Sequence, residues 1–194
     1  MVVIVGESLC GLPCLGGHRG PPLHIQYFDR VGELLCGLPE GAIVEQVRQR
    51  KTIRLHNEIY QKVGQPFSVT ICTYNKITLS DEFKKVIFES AIEGDLNKKS
   101  DLMVVCVMPD HVHLLLAPIG ENLIDLIGKW KSYTTHLIKL QEKISKLWQR
   151  SFYDHGLRKD EDLIKVAEYI VSNPVRKCLV EGWETYPFAW HKWM

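Results

Sequence analysis

Two histidines stand two residues apart in Met108-Pro109-Asp110-His111-Val112-His113-Leu114-Leu115-Leu116. The composition around them favours a strand, and on a strand that spacing sends both imidazoles to one face, about 7 Å apart along the backbone. Two such rings can converge on a single cation. An imidazole pair suits manganese, cobalt, nickel or zinc, and suits magnesium where oxygen ligands and water complete the shell. The same pair would also suit a solvated sheet face, and Asp110 doubles as the turn residue of a hairpin.

The second group lies near the C-terminus. Glu161, Lys165, Tyr169 and Asn173 fall at four-residue steps, which on a helix makes one polar stripe. A phenol with a pKa of about 10 is a weak nucleophile at neutral pH, and attack on a phosphate needs a cation nearby and a fixed in-line approach. An amide one turn further on can supply a neutral oxygen ligand. Tyr169 also fits a boundary position with a buried ring and a wet hydroxyl, and Asn173 before Pro174 fits a helix C-cap.

These residues need a scaffold, and the hydrophobic pattern supplies one. Phe67 to Tyr74 favours a strand, and Asn75-Lys76 a turn. Ser80 or Asp81 caps a helix running to about Glu93 and ended by Gly94. Leu102–Met108 and His111–Ala117 make a hairpin about Pro109-Asp110. A long helix starts at Asn122 and ends before Leu147, with Leu123, Leu126, Ile127, Trp130, Leu137, Ile138 and Leu140 forming most of its apolar face. Trp148 to His155 is aromatic and strand-like, with Asp154 and His155 expected as a buried hydrogen-bonded pair. Asp160 caps a last helix, which Asn173-Pro174 stops. This order predicts an α+β fold, a ferredoxin-like antiparallel sheet with helices on one face, the two histidines on a central strand and Tyr169 on a C-terminal helix.

The bulk properties narrow the function. With 194 residues, 24 basic and 23 acidic side chains, the chain suits one compact domain with almost no net field, so any polyanion must be met by a local patch. No run of eighteen or so apolar residues is present, which argues against a membrane span and for the cytoplasm. The six cysteines are scattered. Cys72 and Cys106 lie in apolar runs as small hydrophobes, and Cys10, Cys14 and His18 lack a fourth zinc ligand. Residues 1–45 are rich in glycine and proline, and Leu9-Cys10-Gly11-Leu12-Pro13 recurs as Leu35-Cys36-Gly37-Leu38-Pro39. That stretch reads as a flexible or non-native extension, and 51–194 as the single domain.

Three blocks in order, Met108-Pro109-Asp110-His111-Val112-His113-Leu114-Leu115, Trp148-Gln149-Arg150-Ser151-Phe152-Tyr153-Asp154-His155 and Glu168-Tyr169-Ile170-Val171-Ser172-Asn173-Pro174-Val175, resemble the REP-associated tyrosine transposases, a branch of the single-tyrosine HUH transposases. The resemblance runs from Lys51 to Trp190. It implies His111 and His113 as ligands of a divalent metal, Mg2+ or Mn2+, Asn173 as a third ligand, and Tyr169 as the nucleophile. It also implies a 5′-phosphotyrosine intermediate on single-stranded or hairpin DNA at short palindromic repeats, in a monomer or a homodimer. Candidate DNA contacts are Lys129, Lys131 and Lys139 on the long helix, Arg150 and Arg158 about the aromatic strand, and Arg176 and Lys177 after the tyrosine helix. Their alternative is ordinary solvated surface.

Tyr153 is the rival nucleophile, on a strand and with no amide following at helical spacing. Two other functions compete: a metal-dependent phosphodiesterase using activated water, and a non-catalytic nucleic-acid-binding domain. The second would usually show exposed aromatics on central strands, and Val104, Val105 and Leu114 to Leu116 supply none.

Because Met1 to Gly41 lies outside both the periodic pattern and the resemblance, its removal is expected to leave folding and DNA cleavage intact. A thermal melt and a cleavage assay on the truncated chain check this; a large drop in either would make the segment part of the domain.

Overall fold

The computed structural model describes residues 57–142, 144–158 and 162–193. The expected N-terminal extension, the Cys10/Cys14/His18 group, Asp160 and Glu161 lie outside the described residues. The element order is α1 (Asn57–Tyr60), β1 (Phe67–Cys72), α2 (Asp81–Ile92), α3 (Asp95–Lys98), β2 (Ser100–Val107), β3 (His111–Pro118), α4 (Leu123–Lys139), β4 (Tyr153–Gly156), α5 (Leu163–Val171), α6 (Asn173–Arg176) and β5 (Ala189–His191). The five strands form an antiparallel sheet in the order β4-β1-β3-β2-β5, with the histidine strand in the middle.

Alternation along the strands builds two cores. Val112, Leu114 and Leu116 of β3, with Phe67, Val69 and Ile71 of β1, face α2 and α4, where Phe83, Ile87, Leu123, Leu126, Ile127 and Trp130 meet them. Leu115 and Ala117, with Met103, Val104 and Cys106 of β2, face the other way and are covered by Val166, Ala167, Ile170 and Val171 of α5. The helices therefore occupy both faces, not one. The reason lies in β3: Leu114 to Leu116 is apolar on both sides, which marks a strand buried on both faces rather than one with a wet side.

Local chemistry sets the ends. Ser80 accepts from the Phe83 amide at the start of α2, and Asn122 from the Asp125 amide at the start of α4. After β1, Asn75 and Lys76 take positive φ angles of 50° and 54°, so the chain turns out of the sheet. The last helix is capped by Asp162, whose Oδ1 accepts from the Ile164 and Lys165 amides, and not by the expected Asp160. Asn173-Pro174 ends α5 but opens α6, since proline without an N–H is tolerated in a first helical turn.

The aromatic segment is only part strand. Trp148 makes one isolated bridge to Thr73, and regular pairing begins at Tyr153. Asp154 and His155 are half-buried neighbours on β4, and Asp154 accepts a hydrogen bond from Tyr60 Oη at 2.6 Å. The edge strand β5, short and without a clear alternation, was not apparent from the sequence.

Gly94 separates α2 from α3 at an ordinary negative φ of −86°, yet a Cβ there would lie 2.2 Å from the Ser90 carbonyl oxygen. A close approach of backbone, not a special dihedral, demands glycine. Gly94→Ala should therefore destabilise the protein by about 2 kcal/mol, the range of backbone effects, and lower Tm by about 4–8 °C in a thermal melt. An unchanged Tm would mean that the α2–α3 joint relaxes freely.

Candidate active site

The hairpin register decides where the histidines go. His111 pairs with Cys72 and His113 with Thr70 across β1, and His113 with Cys106 across β2. Both imidazoles lie on the face that α5 covers further along the strand. Their Nε2 atoms stand 3.0 Å apart, with the rings edge to face. Two nitrogens bound at about 2.1 Å to one cation, at right angles, would be separated by about 3.0 Å, so the spacing suits adjacent positions of an octahedral shell.

The other ring nitrogens are occupied. Asp110 Oδ1 lies 2.6 Å from His111 Nδ1, and Thr70 Oγ1 lies 2.9 Å from His113 Nδ1. Oriented in this way, each ring presents Nε2 and is kept from rotating, as outer partners of metal-binding histidines do. The hydrogen bond to His111 holds the Asp110 carboxyl below its usual pKa. Burial first, then the charges of His111 and Arg176, hold the pKa of His113 well below 6.5. His113 is thus neutral at pH 7, the state in which an imidazole can ligate.

The turn behind the pair is fastened. The Thr73 amide donates to the Asp110 carbonyl at 2.9 Å, the Thr73 hydroxyl has Ile77 O at 2.8 Å and Asp110 O at 3.0 Å as alternative acceptors, and the Met108 amide donates to His111 O at 2.8 Å. Thr73 is fully buried. Among the described residues, no group of three His, Cys, Asp or Glu side chains could hold a metal. The histidine pair would thus need amide, water or substrate oxygens to complete a shell, and such a mixed set of two imidazoles and oxygens fits Mn2+ or Mg2+.

Tyr169 lies partly buried on α5, and the Arg176 guanidinium, on α6, stacks over its ring at 4.2 Å. The same arginine is close enough to His113 to lower its pKa. Arg176 thus covers the tyrosine ring, and its charge reaches His113. Asn173 is buried, and its amide nitrogen donates to Ile170 O at 2.8 Å and more weakly to Tyr169 O at 3.4 Å. It caps α5 from within, instead of joining Lys165 on an exposed stripe.

The remaining sequence-derived contacts divide. Lys129 is ion-paired with Glu121, which raises its pKa. Lys131 binds the Gln149 and Arg150 carbonyls at 2.7 and 3.1 Å, a structural tether for the loop before β4. Lys139 and Arg150 line one groove beside α4. Arg158 and Lys177 are exposed. Thr70 escaped notice in the sequence, although the alternation of Phe67-Ser68-Val69-Thr70-Ile71-Cys72 assigns it to the polar face; its partner becomes visible only with the register.

That register also concerns Tyr153. It pairs with Thr70, which pairs with His113, so Tyr153 sits in the same cross-strand row, two strands from the histidine and 38% exposed. The two tyrosines approach the site from different elements.

The family model described as "Transposase IS200 like" matches residues 64–173, more than half of the chain. The chain belongs to that family. A Haemophilus influenzae protein bearing the name of a REP-associated tyrosine transposase is 32% identical over 101 residues, covering 46% of this chain and 57% of that protein. The REP-associated tyrosine transposase of Escherichia coli is 30% identical over 87 residues, covering 43% and 49%. The chain thus spans about half the length of these curated relatives. A solved REP-associated tyrosine transposase bound to a REP hairpin superposes with a TM-score of 0.58 at 20% identity, covering 71% of this chain and 82% of that one. The fold is therefore shared.

Thr70→Val keeps the shape of the side chain and removes the hydroxyl at His113. Calorimetric titration with Mn2+ should show affinity lowered by about 10- to 100-fold, with Thr70→Ser restoring it. Equal Mn2+ affinity in Thr70→Val and wild type would show that the hydroxyl has no part in presenting His113.

Proposed function

We propose that this chain is a DNA strand transferase that cuts and rejoins single-stranded or hairpin DNA at short palindromic repeats, with Tyr169 as nucleophile. One observation carries the reading: two imidazoles converge through Nε2 with their Nδ1 atoms tied back, on the sheet face that carries the tyrosine helix. The family membership and the named relatives support the same reading. The relative solved with a REP hairpin supports hairpin DNA as the substrate form.

His111 and His113 would hold a divalent cation, Mg2+ or Mn2+, and Asn173 would contribute its amide oxygen. The cation would polarise the scissile phosphate and offset charge developing on it. Arg176 restrains the Tyr169 ring and adds a fixed positive charge beside the phosphate. Tyr169 Oη attacks phosphorus, the new O–P bond replaces the bond to the 3′ oxygen, the phenolic proton passes to solvent and the 3′ oxygen takes one up. The product is a 5′-phosphotyrosine and a free 3′ hydroxyl. Because one phosphoester replaces another, the reverse attack by a 3′ hydroxyl can rejoin the strand.

Tyr169→Phe removes one oxygen and keeps the ring that Arg176 covers, so DNA binding should persist while the covalent adduct disappears. With Mn2+ and an oligonucleotide labelled downstream of the cut, wild type should show a labelled band on denaturing gels. His111→Ala and EDTA should each abolish it. An adduct that survives in Tyr169→Phe and is lost in Tyr153→Phe would move the nucleophile to β4, and cutting by wild type without any adduct would make the enzyme a phosphodiesterase.

A further inference from the structure

A groove runs beside α4, bounded on its other side by the segment from Ser145 to Arg150, with a volume of about 520 Å³. Its lining includes Lys139, Lys146, Arg150 and His136, together with the hydroxyls of Ser132 and Thr135; none of its lining residues is acidic. In a chain whose net charge is only +1, such local segregation of positive charge is a departure from the average surface. Lys139, Lys146 and Arg150 are exposed, so their charges meet solvent.

The groove is rigidly placed relative to the histidines. Leu147 O accepts from the Tyr74 amide at 2.7 Å, Trp148 bridges Thr73, and the Gln149 amide donates to Cys72 O at 3.0 Å. Cys72 is the register partner of His111. The groove wall is therefore two strand spacings from His111, about 10 Å, or roughly three stacked nucleotides. Lys131 stiffens this wall by binding the Gln149 and Arg150 carbonyls. Trp148 donates Nε1–H to Thr134 on α4 at 2.9 Å, which ties the two sides together.

We propose that this groove holds the sugar–phosphate backbone of the DNA strand flanking the cleaved phosphate, with Lys139, Lys146 and Arg150 each pairing with a phosphate. The inference rests on the strand-transferase reading for the identity of the polyanion, but makes a separate claim about where it lies. Lys146, absent from the sequence-derived contacts, becomes part of the DNA surface; Lys131 becomes a support for it.

Fluorescence anisotropy of a labelled oligothymidylate, titrated with protein at several salt concentrations, tests the groove. The triple variant Lys139→Ala/Lys146→Ala/Arg150→Ala should bind at least about tenfold more weakly, and the slope of log K against log salt should become shallower by about 2, since each single-strand phosphate contact contributes about 0.7. A control triple, Lys62→Ala/Lys85→Ala/Lys98→Ala, removes the same charge from other exposed sites and should stay near wild type. Wild-type affinity and slope in the groove variant would overturn the proposal, as would an equal loss in the control. If the groove variant loses binding while wild type forms no tyrosine adduct, the groove stands and the strand-transfer reading falls.

Discussion

Everything at the candidate site depends on the pairing of β1 with β3. A β-sheet has a side-chain period of two, so a slip of one residue would turn His111 and His113 into the α2/α4 core and bring Val112 to the surface. The register is held by the size of the penalty: Val112, Leu114 and Leu116 are fully buried on one side and Leu115 on the other. It is held again by the turn, where the Thr73 amide binds the Asp110 carbonyl. The same pairing that aligns the histidines delivers Thr70 to His113, so the imidazole and its hydrogen-bond partner are set by one interaction.

Covering both faces of the sheet explains why the site can exist at one end of β3. From Leu114 onward the strand is closed in by α4 on one side and α5 on the other, whereas His111 and His113 remain only partly buried. The end of β3 that carries the histidines therefore lies beyond the part that both helical layers cover. α6 then returns the chain so that Arg176 lies over Tyr169 and near His113.

The legible part of this arrangement was whatever repeats at a fixed period or sits beside its own partner. The histidines two apart on a strand, the strand beginning at Phe67, the helix capped at Ser80 or Asp81 and the helix starting at Asn122 are local signals, and the structure has each of these elements, with Ser80 the cap of the first helix. The face chosen by α5 was illegible because an amphipathic helix shows that it has an apolar side without showing what lies beneath. Asp162 replaced Asp160 as cap since several polar residues precede the helix and only the backbone's entry angle selects one. Asn173-Pro174 read as a stop because proline ends a helix; as the first residue of the next turn it begins one. Tyr153 reads in the sequence as a strand residue with no amide following at helical spacing, and only the strand order puts it in one row with His113.

The chemistry of the imidazole pair follows from its 3.0 Å separation. Two ring nitrogens with lone pairs facing each other repel, so an electropositive atom must lie between them, a proton or a cation. Asp110, an ionised acceptor, keeps a proton on His111 Nδ1. Where His111 is neutral, its Nε2 is bare, the shared proton sits on His113 Nε2, and Thr70 donates its hydroxyl hydrogen to His113 Nδ1. For both Nε2 atoms to ligate, the proton of His113 must be on Nδ1, and Thr70 must accept it. A hydroxyl can reverse its role by rotating about one bond, whereas a carboxylate cannot donate and an alkyl group can do neither. Threonine at position 70 thus suits a histidine that would change tautomer on binding a cation, and Asp110 one that would keep the same proton throughout.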